Sequence, residues 1–548
     1  MPAFSDMWTG KTIGAALAEA SGRFGSRVGW IFENGSVTYE GLMETSGLVA
    51  RGLLALGVKK GHKVAVWLAG YSEWAPIYFG IARIGAVIVP VNTRYKPFEI
   101  EYVLHKSNAT MLILKDEGAS GKNYAGILNE IAPELDGAQP GRLKLSRLPH
   151  LSHVICVDET RPWSGCSTLA GLMKAASGVS ASALALAESE VTPEDDALIQ
   201  FTSGTTALPK GALLYQNAML RGSYYNNYLL GITEGENFFS PQPFYHAGGS
   251  IQVMLGPVVC GCTVIVQTYF SPEGALRLME KYKCTVTMGH QPHFIEYLNY
   301  PDLKKLNLCV EKADIFAPPD IRKRVHEEMG IAFLNSPYGM TETHLGGTSC
   351  QVGDPLEKWM YTVGRCMPGV ELGIRDREDG TLLPAGKTGE ACFRGWAVMK
   401  GYYDDPEMTA EVLDKEGWFR TGDLAVVDEE GYVRLVGRVK DMIRVGGENV
   451  AASDVEGYLL GHEKVKQAVA VGAPERRLGE VVVAFVELKA GNEATEEEIV
   501  SYCRGGLASF KVPRKVIFVT EWPLSGTGKI QKVALQKQAE DYMSKGAR

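Results

Sequence analysis

VAVWLAGYSEWAPIYFGIARIGAVIVPV (Val64–Val91) reads as one strand-helix-strand unit. Val64–Leu68 is a short apolar run of strand length, and Ser72 stands where a helix N-cap belongs. Trp74, Ile77, Tyr78, Ile81 and Ile84 then share one helical face, and Val87–Val91 is a second apolar run. The stretch therefore predicts a βαβ unit, whose two strands must run parallel. The same alternation recurs around Leu112, Val154, Leu198, Val264 and Val286, so the expected fold class is α/β on largely parallel sheets. Upstream, VGWIFENGSVTYE (Val28–Glu40) sets Asn34-Gly35 between two alternating apolar runs, a hairpin signal. Downstream, 118–189 is rich in Gly, Ala, Ser and Pro and predicts an irregular connection holding a helix or two at most.

The chain has 548 residues, 45% hydrophobic and 22% charged, enough for several cores and two to four structural units. Its 62 glycines neither repeat with period three nor pool in one tract, which excludes collagen and disorder and leaves turns and close backbone approaches. A net charge of -8 argues against a nucleic-acid binder. The ten cysteines are scattered, and the close pair Cys260-Gly-Cys262 is too tight for a C-x-x-C zinc clip, so they read as reduced core thiols of a cytoplasmic protein. No signal-peptide pattern opens the sequence, and the longest apolar stretch, Val253 to Val266, is too short and too broken to span a membrane.

From Gly437 onward the charge is nearly balanced, with 17 Lys and Arg against 15 Asp and Glu. Strand signals at Ala468–Val471, Val481–Leu488 and Lys515–Val519, with a helix after Thr495, predict a small α+β domain. The expected division is 1–438 and 439–548.

The most informative polar segment is DALIQFTSGTTALPKGALL (Asp196–Leu214). An apolar strand runs into Thr202-Ser203-Gly204-Thr205-Thr206, and Lys210 follows. Hydroxyls, loop N–H groups and a lysine after a strand form an anion cradle, although the Walker A spacing is absent.

Further motifs give this loop a context. They are VTYEGL (Val37–Leu42), GAVIVPVN (Gly85–Asn92), PFYHAGG (Pro243–Gly249), YGMTE (Tyr338–Glu342), GEACFRGWAVMKGYY (Gly389–Tyr403), GWFRTGDL (Gly417–Leu424), GRVKDMIRVGGENV (Gly437–Val450) and SGTGKIQK (Ser525–Lys532). With FTSGTTALPKG (Phe201–Gly211), these resemble in content and order the signatures of the adenylate-forming superfamily. That superfamily holds acyl-CoA synthetases, firefly luciferase and the adenylation domains of nonribosomal peptide synthetases, and the likeness covers essentially the whole chain.

The resemblance implies a large N-terminal adenylation domain of βαβ-type sheets with a β-barrel-like subdomain, and a small mobile C-terminal domain. It implies ATP-dependent activation of a carboxylic acid to an acyl-adenylate, then transfer to coenzyme A with release of AMP and pyrophosphate. The substrate is the nucleophile, so positioning and charge neutralisation suffice and no activated serine or cysteine is needed. Carried over by motif, Thr202, Ser203, Gly204, Thr205, Thr206 and Lys210 hold phosphates, and Tyr338, Gly339 and Met340 lie along the adenine. Thr341 contacts the α-phosphate, Glu342 with Thr202 binds Mg²⁺, and Asp423 with Arg438 takes the ribose. Lys529 is the expected catalytic lysine, Lys440 the hinge, and Gly446-Gly447 the path of the CoA arm. His246 gates the acyl channel, and the habit of the family implies a homodimer.

The chain departs from the pattern at three places. Ala207 replaces a loop glycine, and Ala452 and Asp454 replace a proline and a glutamate. Where a G-G-A-P turn is common, this chain reads Ile315-Phe316-Ala317-Pro318, bulk that predicts a compact acyl pocket for a medium-chain or cyclic acid. His290 and His293 form a lone H-x-x-H, read as structural, and His326–Gly330 lacks the second histidine of HExxH. The competing functions are a ligase that loads a free carrier protein, a luciferase-like monooxygenase, and a nucleotide-binding protein that has lost catalysis; the last is disfavoured by the presence of Glu342, Asp423 and Lys529.

Overall fold

A computed structural model describes residues 7–117, 123–158, 163–202, 208–438, 441–445, 448–475, 477–524 and 530–545. The βαβ unit that opens the reading is present as the strand Lys63–Trp67, the helix Trp74–Arg83 and the strand Val87–Pro90, and the two strands pair in parallel. They lie in an eight-stranded sheet ordered Gly401–Tyr402, Lys210–Tyr215, Asp196–Thr202, Val87–Pro90, Lys63–Trp67, Met111–Leu114, His153–Cys156 and Ser167–Thr168. All neighbours from Asp196–Thr202 to Ser167–Thr168 are parallel, and the first two strands are antiparallel additions. Parallel strands buried on both faces need apolar runs rather than alternation, and Val87–Pro90 and Met111–Leu114 are buried throughout.

A second sheet has seven strands, ordered Phe333–Asn335, Lys312–Phe316, Val286–His290, Asn237–Ser240, Thr263–Val266, Val28–Phe32 and Gly35–Thr38. The Asn34-Gly35 hairpin is its antiparallel edge, with Phe32 opposite Gly35. The helix Trp74–Arg83 is buried along its whole length in the largest core, where Trp74, Ile77, Phe79 and Ile81 pack with residues of both sheets. The carboxyl ends of parallel strands are where an α/β fold places its ligands.

Two local expectations change. Ser72 does not cap the helix: Glu73 occupies the N-cap with no side-chain cap bond, while the Ser72 N–H donates to Asn34 Oδ1 at 3.0 Å. The hairpin turn thus claims the residue that the local pattern assigns to the helix. The connection 118–189 is also more regular than composition suggests, with helices Tyr124–Ile131, Leu169–Ala175 and Ala181–Ser189 and two sheet strands among its described residues. Asn123, Thr168 and Ser180 cap these helices, so the polar residues that read as loop are stop and start signals.

The region expected to be barrel-like is an antiparallel sheet ordered Val370–Arg375, Gly389–Gly395, Phe419–Val427 and Val433–Arg438, with the ribbon Thr348–Ser349 and Arg365–Cys366 beside it in sequence. Beyond it, the strands Met442–Val445, Glu448–Ala451, Val465–Glu475, Gly479–Leu488 and Lys515–Phe518 form a five-stranded sheet. Alternation along Val465–Glu475 explains its two covers. Ala468 and Ala470 pack with Val455, Leu459 and Ile499 of helices Ala452–Leu460 and Glu496–Arg504, whereas Val469 and Val471 pack with Leu535 and Ala539 of helix Lys532–Lys545. The helix expected after Thr495 is present, and Thr495 caps it, its side chain accepting the Glu498 N–H.

None of the ten cysteines forms a disulfide and seven are buried, but Cys260 and Cys309 are half-buried and Cys366 is exposed in the ribbon, so the core-thiol reading fails there. No single helix among the described residues is long and apolar enough to cross a membrane.

Candidate active site

Thr202 ends one strand and Lys210 begins the next, and they face each other in antiparallel register with Thr202 Oγ1 donating to the Lys210 carbonyl at 3.4 Å. One ladder therefore holds Thr202 and Lys210 face to face. The expected phosphate groups Ser203, Gly204, Thr205 and Thr206 lie outside the described residues, as do Lys440, Gly446, Gly447 and Lys529.

The strand Gly401–Tyr402 pairs with Lys210–Tyr215, setting Tyr402 opposite Ala212. Lys210 Nζ lies 5.3 Å from the centre of the Tyr402 ring. The Tyr402 hydroxyl donates to Glu342 Oε1 at 3.0 Å, and the Met399 N–H donates to the Glu342 carbonyl at 2.8 Å. Burial, and then the Glu342 carboxylate, raise the Tyr402 phenol above its ordinary range, so it stays a donor. One aromatic side chain thus touches both the lysine and the carboxylate expected to handle phosphate and metal.

Four residues before Glu342, Tyr338 donates its hydroxyl to Asp423 Oδ2 at 3.0 Å. Asp423 faces Arg438 across the antiparallel sheet, and Arg438 Nε meets Asp423 Oδ1 at 3.0 Å. Burial raises the Asp423 carboxyl, and Arg438 and the Tyr338 hydroxyl oppose that rise. The carboxylate is thus held in one orientation, with lone pairs left for further donors. Gly339 must be glycine, because a Cβ there would stand 2.7 Å from the Leu345 carbonyl oxygen. Met340 and the turn Thr341–Thr343 connect the two groups, the Met340 N–H donating to Thr343 Oγ1 at 3.0 Å.

The fold therefore brings Thr202, Lys210, Glu342, Tyr338, Asp423 and Arg438 into one linked arrangement. No cluster of three or more His, Cys, Asp or Glu suited to a metal ion exists among the described residues. One carboxylate and a hydroxyl oxygen nevertheless suit magnesium, which ordinarily takes one or two carboxylates and completes its shell with phosphate and water.

On the acyl side, His246 is half-buried beside Tyr245, with ring centres 5.3 Å apart, and its carbonyl accepts the Ser250 N–H at 2.8 Å. Gly249 of the same motif sits so close that a Cβ would lie 2.2 Å from the Pro243 carbonyl oxygen. Ile315 is wholly buried in the main core, so its bulk serves packing. Phe316 points to the opposite face, is half-buried, and stands 5.1 Å from the His290 ring, its partner in strand register. Ala317 follows, also half-buried. The His290 N–H donates to His293 Nδ1 at 3.0 Å, so this pair caps its helix and is structural, as expected.

Three participants escape sequence reasoning. Tyr402 lies within a quoted motif, but its link to Glu342 is made through space. His344 is buried, its Nε2 accepting the Tyr215 N–H at 3.1 Å and its Nδ1 donating to the Ala397 carbonyl at 2.7 Å. Burial lowers its pKa to about 4, so a neutral ring ties the phosphate-loop strand to the motif that carries Tyr402. Asp314, between the apolar residues Ala313 and Ile315, is fully buried. No local pattern marks the last two.

With this geometry in place, comparison with known proteins is decisive. The model of the AMP-binding enzyme family matches residues 17–403, and that of the AMP-binding enzyme C-terminal domain matches 454–529. The medium-chain acyl-CoA ligase ACSF2, mitochondrial, of Danio rerio is 35% identical over 542 residues, covering 97% of this chain and 89% of that protein. ATP-bound MatB from Rhodopseudomonas palustris superposes with a TM-score of 0.80 at 27% identity, over 96% of this chain and 99% of that one. The anthranilate CoA ligase AuaEII shares the fold with a TM-score of 0.85 at 23% identity, over 98% of each chain. The chain belongs to the AMP-binding enzyme family. It is an ATP-binding, AMP-forming acid–thiol ligase of the acyl-CoA synthetase type.

Proposed function

We propose that this enzyme activates a medium-chain or cyclic carboxylic acid with ATP and transfers the acyl group to coenzyme A. The observation that carries the reading is the linked pair Tyr338–Asp423–Arg438 and Lys210–Tyr402–Glu342, two nucleotide-handling groups at opposite ends of one five-residue motif. Asp423 accepts the ribose hydroxyls while Arg438 and Tyr338 fix its orientation. Lys210, held beside the Tyr402 ring, places positive charge against the phosphates. Glu342 and Thr202 are the oxygen ligands that would hold Mg²⁺, whose contribution is to neutralise phosphate charge. The acid's own carboxylate attacks the α-phosphate and pyrophosphate leaves; this needs alignment and charge compensation from the protein, not a protein nucleophile.

By motif position, Lys529 is the lysine that bridges carboxylate and α-phosphate, and a swing of 439–548 about Lys440 then exchanges it for the Gly446-Gly447 path of the CoA thiol. Phe316, in place of a small residue, favours a compact acid over a long chain, and the name of the Danio rerio relative favours a medium-length one. A cytoplasmic location belongs to the same reading, supported by ten cysteines of which none forms a disulfide. The test is a panel of carboxylic acids assayed for ATP- and CoA-dependent AMP release. Highest kcat/KM for medium-chain or cyclic acids is expected; equal or better use of long-chain acids overturns the substrate assignment.

A further inference from the structure

Asp314 is a fully buried carboxyl, and among the described residues no Lys, Arg or His forms an ion pair with it. It takes its bonds from two neutral amides, Gln252 Nε2 to Oδ2 at 2.7 Å and Asn335 Nδ2 to Oδ1 at 2.9 Å. Burying an acid with only neutral partners is costly, and burial pushes its pKa up to about 7. A group kept at that cost invites a reason beyond packing.

Its partners supply one. Gln252 sits in the π-helical turn Gly248–Val253, six residues after His246, and π turns of this kind are frequent at functional sites. Gln252 Nε2 also reaches Asn227 Oδ1 at 3.4 Å, and Asn227 donates back to the Gln252 carbonyl at 3.3 Å. Asn335 lies three residues before Tyr338, and it accepts the Cys350 N–H at 3.1 Å while donating to Ser349 Oγ at 2.9 Å. Asp314 itself is two residues before Phe316 on the same face of the strand. This one side chain therefore joins the segment bearing His246, the strand bearing Phe316, and the strand leading to Tyr338.

We propose that Asp314 is a positioning residue for acid selection, a buried clasp that fixes how far the Phe316 strand stands from the His246 turn. The proposal rests on the acid-activating reading above. Networks whose members are fully hydrogen-bonded hold one geometry, and a displacement of about 1 Å at a reacting site can cost of order a hundredfold in rate. The clasp does not touch substrate. It acts through the elements that do.

The test compares wild type, Asp314→Ala, Asp314→Asn and Gln252→Met on full-length enzyme. Acid-dependent AMP release is measured for straight-chain acids from butanoate to dodecanoate and for benzoate, with KM for ATP and the melting temperature alongside. Asp314→Ala is expected to shift the ratio of kcat/KM between the best acid and its neighbours by about tenfold, while KM for ATP moves by no more than about twofold. Asp314→Asn keeps the shape and one accepting oxygen but turns its own NH₂ toward one of the two donating amides, so it should shift the acid profile in the same direction as Asp314→Ala but less far. Gln252→Met breaks the clasp from the other side with little change in volume, and it decides the matter if Asp314→Ala does not fold. An unchanged acid profile with only a lower melting temperature makes Asp314 a structural residue and overturns the proposal. A wild type that releases AMP with no acid at all overturns the acid-activating reading first, and the proposal with it.

Discussion

At the scale of single residues, Tyr402 joins Lys210 to Glu342. Tyr402→Phe keeps the ring beneath the lysine but removes the hydroxyl. A hydrogen bond to a charged acceptor contributes about 1.5–3 kcal/mol, so kcat/KM for ATP should fall at least about tenfold while KM for the acid stays within about twofold. Steady-state kinetics at saturating acid checks it, and an unchanged ATP dependence would separate Tyr402 from the phosphate site. Phe316→Gly gives a second test, because the ring lies against His290 where the family commonly keeps a small residue. The expected outcome is a shift of the preferred acid toward longer or bulkier chains. An unaltered preference across the panel would remove Phe316 from the acyl pocket.

At the scale of elements, His344 holds three segments together, and its titration has a defined sign. The ring is neutral in the fold with a pKa of about 4, against about 6.5 when unfolded. Between those values the unfolded chain binds more protons, so stability rises with pH and is lost as pH falls from 6.5 toward 4. Replacing it by glutamine should flatten that acid-side fall in melting temperature. Asp314 runs the other way: with a pKa of about 7 in the fold against an ordinary 3.8, the folded state binds more protons, and stability declines as pH rises from 4 to 7. Asp314→Asn should therefore gain on wild type in melting temperature between pH 5 and about pH 7, where both curves flatten. Thermal melts across this range test both signs.

These examples also mark what was legible. The Val64–Val91 unit, the Asn34-Gly35 turn and the small-domain strands lay in local periodicity and turn chemistry, and the fold returns them, although the strand expected at Ala468–Val471 extends over Val465–Glu475. Ser72 misled because Glu73 takes the N-cap, while the Ser72 N–H is bound by Asn34, a residue 38 positions away. Among site residues, those with a motif around them, such as Lys210, Glu342 and Asp423, could be named. Tyr402, His344 and Asp314 could not be assigned roles, since each acts through a partner distant in sequence, at separations of 60, 129 and 62 residues. Local pattern carries no information about which strands the topology will bring side by side.

At the scale of the whole molecule, the family's two half-reactions predict a division of labour between 1–438 and 439–548. Lys529→Ala should abolish acid-dependent exchange of pyrophosphate into ATP yet largely spare thioester formation from a supplied acyl-adenylate. Equal loss of both steps would place the lysine in a shared site and contradict the proposed exchange of positions. The central claim, that an acyl-adenylate forms first at the Tyr338–Asp423 and Lys210–Glu342 groups, has a more direct test still. It is the exchange of labelled pyrophosphate into ATP by the wild-type enzyme with coenzyme A left out. Exchange is expected to require the carboxylic acid and to proceed without CoA; exchange that appears only when CoA is added, or that ignores the acid, overturns adenylate formation as the first step.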